Sequence, residues 1–491
     1  MLRIFHTIKS LAVKELFDLP KSPRRQMLLL LTALTLGVIA GVFAPIPFAS
    51  SYVWFEVVAC SVIMILFAIV RREVNWSLLA LGVMFAGYSS GALVGSERRE
   101  LSHLIGKEIN GIGTVSDFAR FTGTSYRFTI DVKSLGENFN SFPLRATSMV
   151  LIPRGSEVEL KCRLRIRGNS FECSTASVRK IADPPWYLQI LNDLREATFG
   201  KVSKFLTPDR AALLAGMVYG GDDTLPTQMR NNFRSAGLSH LIAVSGANLA
   251  LVTVLFYGML TAFFLSRRPA AIVALAVLGL TVAFVGFDAS VVRAGIMGSL
   301  LLVGALVGRE RSKGNALMFA AALMLFLNPW MIFDLGFLLS VSATAGLMFL
   351  SGGIEEKIKF IPEFGALRSS VALTLSALIS TLPIIALTLG QVQLISPFSN
   401  LLAAPLVTII FALGIVFCLT SWLPMIPVLL APILSFFLDL LGFVAALFAS
   451  VPLGIMKGSS AIVSAVIVSI TAIIWILYTK KPGESLPKQS R

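Results

Sequence analysis

The residues best suited to chemistry lie in one stretch of mixed polarity near the middle of the chain. His240, Ser245 and Asn248 stand close together in otherwise apolar sequence. A Ser–His pair would suggest nucleophilic catalysis, but this spacing puts the two side chains on different faces of a regular helix, and no Gly-x-Ser-x-Gly elbow surrounds the serine. Gly237 and Gly246 also interrupt the helix, and broken helices at membrane depth are tolerated only where they are buried in protein or line a water-filled cavity. We interpret the three polar side chains as cavity-lining; buried polar groups satisfied by neighbouring helices are the alternative.

Isolated charges within apolar sequence form a second group. Arg293 lies near the end of an apolar run, where an unpaired charge is costly. Arg293 has two possible roles. It could form a structural ion pair with Asp288, Asp334 or Asp439, or it could contact phosphate in a pathway. Asp439, halfway along an apolar run, should face the protein interior. Further polar residues at predicted helix ends are candidates for the same cavity or for hydrogen bonds between helices: Asp334, Ser340 and Asn400.

The chain offers little for metal or redox chemistry. Its three histidines are His6, His103 and His240, and it lacks the His- and Asp-rich cluster that a hydrolytic metal site needs. We therefore expect no metal, no cofactor and no catalytic activity.

The composition is that of a membrane protein. Of 491 residues, 55% are apolar and 14% are charged, with a formal net charge of +15, whereas a soluble domain carries about 25% charged residues. In hydrocarbon, long apolar runs must close their backbone hydrogen bonds as helices of about 20 residues. We predict twelve spans, of which the short seventh is a candidate re-entrant segment: 27–44, 52–70, 76–95, 241–265, 270–286, 291–307, 315–327, 331–350, 369–389, 400–419, 425–449 and 460–478.

Lys and Arg predict the orientation of these spans. Residues 1–26 are basic, and with twelve crossings the basic loops at 71–72, 267–268, 309–313 and 480–481 fall on the same side. The loops at 45–51, 287–290 and 391–397 contain no Lys or Arg. We therefore expect the N-terminal segment 1–26 and the tail 479–491 to be cytoplasmic, the helices of 27–95 and 237–478 to lie in the plasma membrane, and residues 96–236 to lie outside.

Residues 96–182 change to an alternation of period two with turn signals. Strands are predicted at 108–119, 125–135, 144–152, 157–167 and 170–181. Five short strands fit an all-β, OB-like barrel, and another five-stranded barrel fits the spacing equally well. After the barrel, residues 183–236 are predicted as an amphipathic helical connector on the outer membrane surface, with its helix over 186–206.

The fourth predicted strand has one apolar and one basic face. Alternation turns Lys161, Arg163, Arg165 and Arg167 away from the core. Such a row can follow a phosphate backbone, and two neighbouring strand residues are candidates for the same DNA-binding face: Arg127 for phosphate and Phe128 for base stacking. A solvated strand face, or one against anionic headgroups, is the alternative.

Two cysteines flank the predicted turn between the last two strands. Cys162 and Cys173 share strand parity and should lie nearly opposite each other. In an oxidising compartment they are a candidate disulfide; two buried free thiols are the alternative.

From Ala211 the sequence reads ALLAGMVYGGDDTLPTQMRNNFRSAGLSHLIAVSGANLALV. This block resembles the hallmark of the ComEC family, the inner-membrane DNA channels of natural transformation, which runs close to FRxxGLSHLLAxSGLH. Shorter matches to the family follow in order: Val292-Arg293-Ala294, Asn328-Pro329, Asp334-Leu335-Gly336-Phe337-Leu338-Leu339-Ser340 and Ser396-Pro397-Phe398-Ser399-Asn400-Leu401-Leu402. Asn248 stands where the family usually has His, and Leu338 where it usually has Gln, so any role of those two side chains is not carried over.

The resemblance covers almost the whole chain and implies import of single-stranded DNA across the plasma membrane. It further implies a membrane-anchored DNA receptor outside and a helicase-like motor in the cytoplasm. Many relatives carry a C-terminal metallo-β-lactamase-like domain, which we expect to be absent here, so that a separate nuclease would degrade the second strand. A homo-oligomer also fits this reading.

A secondary transporter for a small solute is the alternative function. Such transporters also use broken helices and charges at membrane depth, but they usually show two related halves. We find no such repeat, and a large external insertion is unexpected in that class.

Overall fold

The computed structural model describes residues 23–43, 76–121, 125–134, 142–167, 170–220, 225–242, 244, 246–263, 266–307, 313–362, 367–393, 395–423, 425–451, 455–458, 467, 469 and 471. The predicted span 52–70, nearly all of the span 460–478, both termini and Ser245 lie outside these residues. The chain forms two compact units, one of residues 1–105 and 309–333 and the other of residues 106–308 and 334–491.

The elements are numbered here in chain order. The first part contains α1 (Pro23–Phe43), α2 (Trp76–His103), β1 (Glu108–Val115), β2 (Arg120–Phe121), β3 (Tyr126–Ser134), β4 (Phe142–Ser148), β5 (Glu157–Arg167) and β6 (Ser170–Ala182). Next come α3 (Trp186–Val202), α4 (Pro208–Tyr219), α5 (Thr227–Ser235), a 3-10 turn at Ser239–Leu241, α6 (Gly246–Phe263), α7 (Arg267–Val285), α8 (Ala289–Val307) and α9 (Lys313–Leu327). The last part contains a 3-10 turn at Pro329–Phe333, α10 (Leu335–Phe349), α11 (Ser351–Lys357), α12 (Leu367–Leu389), β7 (Gln391–Gln393), α13 (Ser396–Thr420), α14 (Ile426–Ala449) and β8 (Ile455–Lys457).

The smaller unit is held together by a close contact between α1 and α2. Each helix carries two glycines four residues apart, and a Cβ added to any of them would collide with backbone oxygen of the other helix: Gly37, Gly41, Gly87 and Gly91. Small residues at this spacing let helix backbones approach closely, which is a common way to join helices in membranes. The sequence reading had not singled out this pair of motifs.

A closed five-stranded barrel forms the first part of the larger unit. Antiparallel pairs join β1 to β3, β3 to β4, β5 to β6 and β1 to β5, while β4 and β6 run parallel. The five predicted strands are present, although β1 ends at Val115 and the two-residue β2 adds to the edge of β3. Alternation fills the interior as expected with Leu160 and Leu164, and Phe128 is buried with them.

The remaining helices of the larger unit include the membrane-capable ones. Four are long and apolar enough to cross a bilayer, namely α7, α12, α13 and α14, and the pair α10–α11, bent by 51°, would be a fifth. Four shorter apolar helices lie at Leu29–Phe43, Asn248–Ala262, Ala289–Gly304 and Asn315–Leu327. The chain is thus a helical membrane protein with a β-barrel, while the predicted number of twelve spans is not confirmed by the described residues.

The predicted connector 183–236 has two different parts. The helix α3 is amphipathic and exposes Trp186, Tyr187 and Ile190, as expected for a helix on a membrane surface. The helix α4, in contrast, is buried from Ala211 to Met217 and packs with α5 against α13 and α14 in one apolar core. The amphipathic character predicted for the whole connector thus applies to α3, whereas α4 is apolar on all sides from Ala211 onward and is buried all round.

Candidate functional site

The best-defined polar cluster joins α6, α8 and α10 around Arg293. The Arg293 side chain is 9% exposed, and its guanidinium donates to Thr344 Oγ1 of α10. A Cβ on Gly246, the first residue of α6, would stand 2.6 Å from Arg293 Nη2. Thr344 Oγ1 in turn donates to the carbonyl oxygen of Ser340, 2.9 Å away. The glycine of the hallmark block therefore makes the space that the arginine of the next motif occupies, and Ser340 lies beside them.

Arg293 has no carboxylate partner among the residues that the structure describes. Its guanidinium is satisfied in part by Thr344, and Arg293 Nε is buried without a hydrogen-bond partner. Two of the three candidate partners are engaged elsewhere: Asp334 caps the start of α10 by accepting from Phe337 N at 2.8 Å, and Asp439 pairs with Arg210. Asp288 forms no ion pair with Arg293 either, so the alternative of a structural ion pair is not found, and the guanidinium keeps donors that an anion can use.

Asn248 links α6 to α4. Its side chain is 6% exposed, and Nδ2 donates to the carbonyl oxygen of Met217 at 3.1 Å. Because this bond joins two helices and the side chain is buried, Asn248 is better described as a structural polar residue than as a residue that lines a pore.

The loop before α6 is fitted against the first turn of α13. Gly237 adopts a φ of 74° and a Cβ there would stand 2.6 Å from Ser396 Cβ, so both its conformation and its surroundings favour glycine. Ser399 Oγ donates to the carbonyl oxygen of Ala236 at 2.6 Å. Two blocks that carry the family resemblance, far apart in sequence, therefore meet here.

His240 and Asn400 belong to this second contact. The His240 imidazole interacts with the Gly237 backbone and with the Asn400 side chain. Asn400 Nδ2 donates to Ser396 O at 2.8 Å and to Ser396 Oγ at 2.9 Å. Among the seven predicted cavity residues, Arg293 contacts Thr344, which lies one turn from Ser340, and His240 interacts with Asn400. Asn248 bonds to α4 and Asp334 caps α10, while Ser245 lies outside the described residues.

Two arginines fasten the barrel to the helices next to this site. Arg154, in the loop before β5, donates to Ser116 O of the barrel and to Ala283 O of α7, both at 3.2 Å. Burial lowers the pKa of Arg154, and the neighbouring carboxylates of Asp117 and Asp288 act in the opposite direction. The guanidinium thereby satisfies a carbonyl near the C-terminal end of a helix, where cations are favoured.

Arg195 of α3 makes the second set of contacts between the barrel and the helices. It donates to the carbonyl oxygens of Tyr219, Gly220 and Val285, which end α4 and α7. Its guanidinium carbon also lies 3.7 Å from the centroid of the Phe118 ring, a barrel residue. The barrel, α3, α4 and α7 meet at this one point, which we call the arginine joint (Arg154, Arg195 and Phe118).

The basic face of β5 is balanced by acidic residues on the neighbouring strands. Lys161, Arg163 and Arg165 are exposed as predicted. However, in the backbone register Glu108 of β1 lies opposite Arg163, and Glu172 of β6 lies opposite both Arg165 and Arg145 of β4. This arrangement favours a solvated strand face. The side chain of Arg167 lies outside those that the structure describes.

The predicted stacking role of Phe128 is wrong. Its side chain is 1% exposed and lies in the barrel core with Ile130 and Val132, so no base can reach it. Arg127, the neighbouring residue, is half-buried, and its Nε has no hydrogen-bond partner.

The predicted disulfide is present. Cys162 and Cys173 are bonded, with 5.6 Å between their Cα atoms. Cys173 pairs across the strands with Leu164 rather than with Cys162. The regular pairing that begins with Arg167 opposite Ser170 already puts Cys173 opposite Leu164, so the two cysteines are diagonal neighbours.

One contact bears on the predicted sidedness of the helices. Lys201 Nζ lies 5.1 Å from the centroid of the Trp422 ring, between α13 and α14, while Arg195 of the same helix reaches Val285. The two positions on α3 are separated by about 9 Å along the axis, far less than a hydrocarbon core of about 30 Å. The predicted alternation puts Val285 and Trp422 on opposite sides. A re-entrant segment between them, such as the bent pair α10–α11, would put them on the same side.

No metal centre is found within the described ranges. No group of three or more His, Cys, Asp or Glu side chains in them could hold a metal ion.

Comparison with known proteins agrees with the resemblance. The competence protein family profile matches residues 217–482. ComE operon protein 3 of Bacillus subtilis (strain 168) is 26% identical over 235 residues, which is 48% of this chain and 30% of that relative. The match thus spans less than a third of the relative's length. No solved structure matches the chain. Since the family profile covers more than half of the 491 residues and includes both contacts of the hallmark block, the chain belongs to the competence protein family.

Proposed function

We propose that the chain is a plasma-membrane channel that imports single-stranded DNA during natural transformation. Family membership supports a role in competence. The observation that carries the channel mechanism is the buried Arg293, which Gly246 and Thr344 hold in place without a carboxylate partner among the described residues. A guanidinium with unused donors is suited to a passing phosphate.

The position of the barrel supports this reading. The arginine joint attaches it to the end of α7, and the loop that follows begins α8, whose second turn carries Arg293. Asp288 and Arg293 are about 8 Å apart along this path. A strand leaving the barrel would therefore meet the Arg293 cluster at the entrance of the helical part.

The barrel itself supports binding of a nucleic acid through its topology more than through its charge. The ring order β1–β3–β4–β6–β5, with β4 and β6 parallel, is that of an OB fold, a class that binds oligonucleotides. Acidic residues lie opposite Arg163 and Arg165 on the neighbouring strands. Strong phosphate binding along β5 is therefore the weaker part of the proposal. We place the barrel outside the cytoplasm, from the basic residues of segment 1–26.

The partners follow from the family role and the chain's charge. A membrane-anchored receptor outside would deliver DNA, a helicase-like motor in the cytoplasm would pull it, and a separate nuclease would remove the second strand. The exposed aromatic residues of α3 would contact lipid headgroups. Assembly into a homo-oligomer is compatible with this scheme.

The direct test is uptake of labelled DNA into cells from which the gene has been deleted. We expect deletion to abolish uptake and the wild-type chain to restore it. Arg293→Ala should fail to restore it, whereas Arg267→Ala, at the exposed start of α7, should restore it fully. Undiminished uptake after deletion would overturn the proposal and favour a small-solute transporter.

A further inference from the structure

A second charged site lies at α14, away from the Arg293 cluster. Arg210 of α4 donates to both carboxylate oxygens of Asp439, at 2.8 Å and 2.7 Å. The side chains are 34% and 55% exposed, respectively. The pair is therefore formed at a surface and not within the apolar core between α4, α13 and α14.

The depth of this pair is set by the helix that carries Asp439. With 24 residues, α14 is about 36 Å long and is one of the four helices able to cross a bilayer. Asp439 lies about 20 Å from the start of α14, close to the middle of a hydrocarbon core of about 30 Å. Charged side chains at that depth face the protein interior or a water-filled cavity, because contact with lipid is costly. Since Asp439 is half exposed, a water-filled cavity is the environment that fits.

The neighbouring helix α5 leads to the same conclusion. It has nine residues, too few to cross a membrane, and packs against α14 with Met229 beside Gly442. Phe233 is buried, while the outward face is entirely polar and exposes Gln228, Asn231 and Arg234. A short helix with a polar outer face is tolerated at membrane depth only where it borders water.

We propose that α5 and the middle of α14 line a water-filled section of the DNA path, in which Arg210 and Arg234 contact the phosphate backbone. Asp439 positions the Arg210 guanidinium, and the site keeps a net positive charge that suits a polyanion. The identity of the polyanion rests on the proposed function, whereas the presence of water at this site does not.

The test is thiol labelling of the full-length chain in lipid nanodiscs. Cys60→Ser and Cys418→Ser provide a background in which the Cys162–Cys173 disulfide is kept. Asn231→Cys on α5 and Ser435→Cys, one turn from Asp439 on α14, report on the proposed water-filled section. Ile433→Cys is the matched control: it lies about 3 Å along α14 from Ser435 and faces about 120° around the helix from Asp439. The probe is a charged, membrane-impermeant methanethiosulfonate.

Because the thiolate is the reactive form and needs water, we expect labelling of Asn231→Cys and Ser435→Cys at least about tenfold faster than of Ile433→Cys. A single-stranded oligonucleotide should slow labelling at Asn231→Cys several-fold. Equally slow labelling at all three positions would show that the site is covered by lipid or protein and would overturn the inference. Labelling that DNA does not slow would overturn the phosphate contact.

These outcomes are separable from failure of the proposed function. If the two cysteines are labelled and DNA protects them, but deletion of the gene leaves uptake intact, the site is supported and the uptake role is refuted. Slow labelling in a chain that uptake requires would refute this site alone.

Discussion

The contact between Gly246 and Arg293 shows how two sequence motifs produce one site. Each motif is short, and neither predicts the other's position. The missing side chain of Gly246 is what allows the guanidinium to approach α6 and reach Thr344. This is a property of a pair of residues, and a single-residue change can test it.

We predict that Gly246→Ala lowers DNA uptake at least about tenfold, because its Cβ would occupy space now filled by Arg293 Nη2 and overpacking costs about 1–3 kcal/mol. Gly258→Ala is the control, since a Cβ at Gly258 in the same helix meets no atom within 4 Å. Uptake by each variant, normalised to the amount of protein in the membrane, is the measurement. Equal uptake by the two variants would contradict this account of the Arg293 cluster.

The disulfide gives a second prediction at this scale. Cys162→Ser should destabilise the barrel by about 2–4 kcal/mol, because the cross-link restricts the unfolded chain. Protease resistance of the barrel in the full-length protein, with and without reductant, measures the effect. Cys418→Ser, which removes a free thiol, should leave it unchanged. If reductant does not change the protease resistance of the wild-type barrel, the disulfide does not have this stabilising role.

Several residue-level features could be predicted from sequence because they depend on strand alternation alone. Alternation correctly gave the buried Cys162 and the exposed Arg163. The same rule could have placed Phe128 in the core, since it alternates with Ile130 and Val132. The pairing of Arg210 with Asp439 had no such signal, because it joins helices far apart in the sequence.

At the scale of elements, the α1–α2 contact depends on glycines that a local reading passes over. Overpacking usually costs about 1–3 kcal/mol. We predict that Gly41→Leu destabilises the smaller unit by more than this amount, because the new side chain must push the two backbones apart. Ala40→Leu adds the same side chain at the adjacent, exposed position. Thermal unfolding in detergent should show a lower transition temperature for Gly41→Leu only; identical curves would refute the close contact.

The arginine joint can be tested in the same way. Arg195→Met leaves three carbonyl oxygens at the ends of α4 and α7 without this donor and removes the stacking on Phe118. We predict that protease cleavage of the full-length chain around Pro184, where the barrel meets α3, becomes several-fold faster. Arg179→Met, on an exposed part of β6, is the control. Unchanged cleavage in Arg195→Met would show that other contacts hold the barrel.

Elements were predictable where their signal is local. Period-two alternation and turn residues gave β5 its full range of Glu157–Arg167, and long apolar runs located α7 and α14 within a few residues. The burial of α4 could not be read in this way. Its apolar sequence fits a surface helix poorly, but only the packing of α13 and α14 shows what covers it.

At the scale of the whole molecule, sequence alone was least informative about which ends of helices share a side. The positive-inside rule fixes alternation only if every apolar run crosses the membrane. The contact between Lys201 and Trp422 joins two positions that the predicted alternation puts near opposite sides. The bend of 51° between α10 and α11 identifies where a re-entrant turn could occur.

The most direct test of the proposed channel is crosslinking of DNA during uptake. A photoreactive amino acid at position 290, whose carbonyl oxygen lies near Gly246, samples the space beside Arg293. The same amino acid at position 280, on the exposed outer face of α7, is the control. We predict that incoming labelled single strands crosslink at position 290 and not at position 280. Continued uptake with no crosslink at 290, or with equal crosslinking at both, would show that DNA does not pass the Arg293 cluster.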